Sequence, residues 1–137
     1  MMTDPLRRGT RIAHIGIAVN TLDAHLPFYR DVLGMPEVFL DDADGAAIAG
    51  VTAGDSLVEL LEAKSQDSPI GKFVTKRGPG LHHVCFAVDN LDDMLERCRT
   101  AGIRLIDHTP RIGAEGKRIA FVHPSATGGV LVELSEY

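Results

Sequence analysis

The run Arg-Ile-Ala-His-Ile-Gly-Ile-Ala-Val at 11–19 is rich in β-branched residues and bounded by polar ones, so it predicts a strand. Apolar residues then recur at helical spacing through Leu22, Leu26, Phe28 or Tyr29, and Leu33. Thr21 offers an N-cap and Gly34 a stop, which predicts a helix over 21–33. Strands follow at 36–40, 46–52 and 56–62, punctuated by Asp-Asp-Ala-Asp-Gly and Ala-Gly-Asp turns. The same order then repeats: a strand at 81–88, a helix at 91–101 capped by Asn90, and strands at 103–107, 117–122 and 129–135. Between them, Ser68 as N-cap and Pro69 at the first helical position predict a short linker helix over 68–77.

The repetition extends to identities. His14-Ile-Gly-Ile-Ala-Val-Asn-Thr-Leu-Asp23 returns 69 residues later as His83-Val-Cys-Phe-Ala-Val-Asp-Asn-Leu-Asp92, and Leu57-Val-Glu-Leu60 returns as Leu131-Val-Glu-Leu134. The chain is therefore read as α+β, with two tandem βαβββ half-domains sharing a cup-shaped mixed sheet. Half 1 covers about 11–63 and half 2 about 80–137, in a single domain over 11–137 behind a disordered lead-in at 1–10. Each half has few strands and one helix, too little core to stand alone.

Side chains alternate along a strand. Ala13, Ile15, Ile17 and Val19 form the larger apolar face of the first strand and should meet the helix, which puts His14 on the open, concave face. In the repeat Val84, Phe86 and Val88 face the helix and His83 faces away. Glu59 and Glu133 are out of phase with their apolar neighbours in the same manner. A strand that needed only packing would place Val or Thr at these positions, because an ionised carboxylate costs several kcal/mol to desolvate. A divalent cation removes that cost. The set His14, Glu59, His83 and Glu133 supplies mixed N and O ligands, which suit Zn, Co, Ni, Mn or Fe(II) better than Ca. The competing explanation is that a duplication repeats core residues for purely structural reasons. His82 is read as a residue behind the ligand or a polar strand end, and His25, His108 and His123 as structural.

The net charge of −5 argues against a nucleic-acid partner. No apolar run reaches the roughly 18 residues of a membrane span. Cys85 and Cys98 lack metal-site or redox spacing and are read as reduced thiols of a cytoplasmic protein.

From Ile12 to Tyr137 the chain resembles the methylmalonyl-CoA epimerase family of the vicinal oxygen chelate superfamily. The segments that carry the resemblance are His14-Ile-Gly-Ile-Ala-Val, Glu59-Leu-Leu-Glu, Asp67-Ser-Pro-Ile-Gly-Lys-Phe, Gly80-Leu-His-His-Val, Pro110-Arg-Ile-Gly-Ala-Glu-Gly-Lys, Phe121-Val-His-Pro, and Gly129-Val-Leu-Val-Glu-Leu134. The resemblance implies the vicinal oxygen chelate fold and a divalent metal, cobalt first and Mn, Ni or Zn otherwise, on His14, Glu59, His83 and Glu133. It implies interconversion of (2R)- and (2S)-methylmalonyl-CoA, in a homodimer. For that reaction we expect α-proton transfer through a metal-stabilised enolate, with Glu133 and Glu59 as catalytic carboxylates because a pseudo-twofold site offers one carboxylate per face. Some members carry an acid in the segment matching Gly45-Ala-Ala-Ile-Ala-Gly-Val51, where this chain has Ile48. Lys117 and Arg118 are weak candidates for contacts to CoA phosphates. Two alternatives stay open: a glyoxalase I-type isomerase of glutathione hemithioacetals, and a metal-free small-molecule binding module.

Overall fold

The computed structural model describes residues 9–137. Of the expected lead-in, residues 1–8 lie outside the described residues, while the carbonyl of Gly9 accepts a hydrogen bond from the Tyr137 hydroxyl at 2.9 Å. The chain forms two compact units. One is His14–His83; the other joins residues 9–13 to Val84–Tyr137. The boundary falls inside two strands, β1 (Arg11–Val19) and β5 (Gly80–Val88), rather than at the linker helix.

In the His14–His83 unit the strand order is β2-β3-β4-β1, with β2 at Glu37–Val38, β3 at Ala46–Ala53 and β4 at Ser56–Ala63. β1 and β4 run parallel, with Ile17 opposite Leu60; β3 is antiparallel to β4. One face packs Val19, Val51, Val58 and Leu60 against Leu22, Leu26 and Tyr29, as the strand phase predicts. The expected 21–33 helix is split. α1 spans Leu22–Pro27 and passes into a wide π-turn at Phe28–Val32, where the Leu33 amide reaches back to the Phe28 carbonyl at 2.9 Å. Pro27 has no amide donor for the preceding turn, which favours a break in the regular ladder at this point.

The other face departs from expectation. The sequence pattern leaves it open, but helix α2 (Pro69–Arg77) lies across part of it: Ile70, Phe73 and Val74 pack on the row formed by Ala18, Leu61 and Ile48. Burial of apolar side chains explains the placement, since that row is as apolar as the face under α1. The next row along the same face is Gly16–Glu59–Gly50. Glu59 thus lies between two strand glycines.

In the second unit the order is β5-β8-β7-β6, with β6 at Arg111–Ile112, β7 at Arg118–Val122 and β8 at Leu131–Glu136. Helix α3 (Leu91–Thr100) buries Leu91 and Leu95 on Val88, Leu105, Ala120, Val122 and Leu134. The strand expected at 103–107 is only a bridge between Leu105 and Val122. The amides of Ile106 and Asp107 both turn to one carbonyl, Phe121, at 2.9 and 3.2 Å, so no ladder continues there. β1 and β5 repeat the same burial position by position, and His14 and His83 hold the same place in it.

The starts of α1 and α3 are each closed twice. The Thr21 hydroxyl accepts from the Ala24 amide, and the Glu62 carboxylate, at the end of β4, accepts from the Leu22 amide at 2.7 Å. Asn90 accepts from Asp93, and Glu136, at the end of β8, accepts from Leu91 at 2.9 Å. The duplication has copied a strand-to-helix cap.

Candidate metal centre

Within the His14–His83 unit, β1, β4 and β5 bring His14, Glu59 and His83 together. Their relative exposures are 3%, 3% and 5%. The His14 and His83 Nε2 atoms are 3.0 Å apart, and His14 Nδ1 is 3.3 Å from Glu59 Oε2. One ligand atom from each of the three lies within 4.8 Å of the others.

This donor set fits a divalent ion. Two imidazole nitrogens bound to one metal at about 2.1 Å stand about 3 Å apart for an angle near 90°. A buried carboxylate beside two neutral imidazoles also leaves negative charge that a cation would balance. Space is provided by backbone: a Cβ built on Gly16 would overlap the imidazole of His83, so only glycine there lets the ring in. At Gly50 the corresponding volume is filled by Leu40 and Val38. Neither glycine stood out in the sequence as a site residue. The available signal was a glycine inside a strand, which marks close approach of another group.

His83 has a second neighbour. Its Nδ1 lies 2.9 Å from Nδ1 of His82, whose ring meets Phe73 of α2 edge to face with centroids 4.9 Å apart. His82 thus stands behind the expected ligand.

Glu133 is buried at 5% exposure on β8 of the other unit, opposite Phe121. Ile48 is on the site-bearing face of β3, packed in the row beside Glu59. Arg118 is held by Asp92 at 3.0 Å and Glu136 at 3.3 Å. The two carboxylates hold its guanidinium above its ordinary pKa range. Its charge is committed to joining α3 to β8. The His123 Nδ1 accepts from the Ser125 amide and caps a short 3-10 turn at Pro124–Ala126, a structural role.

Residues 13–121 match the model of the glyoxalase/bleomycin resistance protein/dioxygenase superfamily. The chain is 38% identical over 137 residues to mitochondrial methylmalonyl-CoA epimerase of Mus musculus, covering 98% of this chain and 77% of that one. Methylmalonyl-CoA epimerase from Mycobacterium tuberculosis superposes with a TM-score of 0.88 at 37% identity, over 99% of this chain and 92% of that one. A methylmalonyl-CoA epimerase solved in complex with methylmalonyl-CoA and NH4+ gives 0.88 at 36% identity, over 94% and 95%.

The chain belongs to the methylmalonyl-CoA epimerase family of the glyoxalase superfamily. It has the vicinal oxygen chelate fold, and the family is one of isomerases of the racemase and epimerase class. Family membership gives the buried cluster a context: superfamily enzymes bind divalent metals, and the three side chains of this unit have the donor chemistry to hold one. No helix among the described residues is long and apolar enough to cross a membrane.

Proposed function

We propose that the protein interconverts (2R)- and (2S)-methylmalonyl-CoA with a divalent metal, cobalt by preference, held by His14, Glu59, His83 and Glu133. The observation that carries this is the buried His14–Glu59–His83 cluster, in a chain 38% identical to a methylmalonyl-CoA epimerase. Glu133 is the proposed fourth ligand. It occupies the same place in Leu131-Val-Glu-Leu134 that Glu59 has in Leu57-Val-Glu-Leu60, and it is equally buried. With two carboxylates and two neutral imidazoles the charge of a divalent ion is balanced.

The α-proton beside a thioester and a carboxylate is weakly acidic, and inversion needs its removal from one face and return of a proton to the other. When bound, a divalent ion supplies a positive centre that lowers the cost of negative charge on the substrate oxygens. Glu133 is the proposed base and Glu59 the carboxylate that serves the opposite face. Ile48 cannot exchange a proton, so the two buried glutamates carry that work. Lys117, with Arg118 already paired to Asp92 and Glu136, is the cation we assign to the CoA phosphates. Cys85 and Cys98 form no disulfide, which suits a reducing compartment, and we place the protein in the cytoplasm as a homodimer, to be checked by sedimentation.

The deciding experiment combines elemental analysis with turnover of (2R)-methylmalonyl-CoA before and after chelation. Bound metal, loss of turnover on chelation and its return with Co²⁺ are expected. Metal without epimerisation, but with turnover of methylglyoxal and glutathione, would replace the proposal by a glyoxalase I-type activity. Neither metal nor turnover would leave a binding module.

A further inference from the structure

We infer that His82 is a positioning residue for the metal centre: its Nδ1 accepts a hydrogen bond from Nδ1–H of His83 and so holds His83 with its Nε2 lone pair directed to the cluster. This rests on reading the cluster as a metal site. A neutral imidazole has one N–H and one lone pair. Nε2 of His83 faces Nε2 of His14 at 3.0 Å, while Nδ1 faces Nδ1 of His82 at 2.9 Å. A ligand must present a lone pair, so the proton of His83 belongs on Nδ1 and His82 must accept it. A partner of this kind fixes the tautomer and ring plane of a metal-bound histidine.

The ring of His82 is itself held. Phe73 meets it edge to face with planes at 84°, and the Arg77 guanidinium lies 5.7 Å from the Phe73 centroid on the far end of α2. Helix α2 is anchored by Ser68, whose hydroxyl accepts from the Gly71 amide and donates to the Ser65 carbonyl. The Asp67-Ser-Pro-Ile-Gly-Lys-Phe segment therefore acts on the centre through one side chain, Phe73, and one relay, His82.

The test uses two variants and one spectrum. In H82N the amide oxygen stands where His82 Nδ1 stands and can still accept; in H82L nothing can. Co²⁺ affinity of the apo-proteins is measured by competition with a chromophoric chelator, with apo-protein melting temperatures as the control for folding. H82L is expected to bind Co²⁺ about 10–100-fold more weakly than wild type, and H82N within about threefold. Equal affinity in H82L and wild type would overturn the inference, as would equal weakening in both variants at unchanged melting temperature. Long-range ¹H–¹⁵N correlation of the wild-type protein loaded with Zn²⁺ decides the matter even where H82L fails to fold. His83 protonated on Nδ1 supports the inference, and His83 protonated on Nε2 refutes it. A wild type that takes up neither Co²⁺ nor Zn²⁺ overturns the site itself and this inference with it.

Discussion

The imidazole of His83 occupies the volume that a Cβ on Gly16 would need. Gly16 is also the in-register neighbour of Glu59, so one missing side chain admits one proposed ligand beside another. Gly16→Ala is expected to push the His83 ring out of place, cost about 1–3 kcal/mol in urea unfolding and weaken Co²⁺ binding at least about tenfold. Gly50→Ala is the control on the other side of Glu59. There the added methyl would meet Leu40 Cδ1 at 2.6 Å and Val38 Cγ2 at 3.0 Å, ends of side chains that can turn away. It should retain Co²⁺ affinity. Equal loss in both variants would mean that Gly16 has no special relation to His83.

A different kind of crowding appears at Gly71, in the first turns of α2. A Cβ there would overlap the Ser65 carbonyl and come within 2.7 Å of the Gln66 carbonyl oxygen, both backbone atoms. Backbone cannot rotate aside as a leucine does, so Gly71→Ala is expected to cost about 3 kcal/mol or more. Because α2 carries Phe73, which touches His82, metal affinity should fall with it. Urea unfolding and a Co²⁺ titration check both. A stable variant with normal Co²⁺ uptake would show that α2 adapts without disturbing the centre.

The paired caps predict a matched response. Glu62→Ala removes the acceptor of the Leu22 amide and should cost about 1 kcal/mol. Glu136→Ala removes the acceptor of the Leu91 amide and, in addition, one of the two carboxylates that hold Arg118, so it should cost more than Glu62→Ala. Parallel urea titrations of the two variants give the comparison. The reverse order would mean that the Arg118 bridge contributes nothing measurable.

Much of this was legible in the sequence because the chain reports its own equivalences. The duplication aligns His14 with His83, and strand alternation puts both, with Glu59, out of phase with the helix-packed residues; the structure buries all three. Caps at Thr21, Ser68 and Asn90 followed from side chains that accept amide hydrogen bonds locally. What was not legible depends on contacts distant in sequence. The pattern around Ala18 and Leu61 shows that the face is apolar but not that α2 covers it. Leu105 is apolar and buried, as a strand residue would be, yet its neighbours' amides turn to a single carbonyl. Gly16 looks like a weak strand position until the ring that fills its space is known.

Substitutions at the two buried glutamates are expected to separate a ligand role from a base role. Glu133→Gln preserves shape and an oxygen donor but cannot take a proton, so epimerisation should fall by at least about 10²-fold even in samples that hold metal. For Glu59→Gln the informative quantity is the ratio of two rates in D₂O, incorporation of deuterium at the α-carbon and inversion of the same carbon. If Glu59 serves the opposite face, exchange catalysed from the Glu133 side persists while inversion is lost, because the proton can return only from the face it left. If Glu59 is a ligand alone, exchange and inversion decline together in proportion to metal occupancy. Normal turnover in Glu133→Gln would remove Glu133 from the base role and leave it, at most, a ligand.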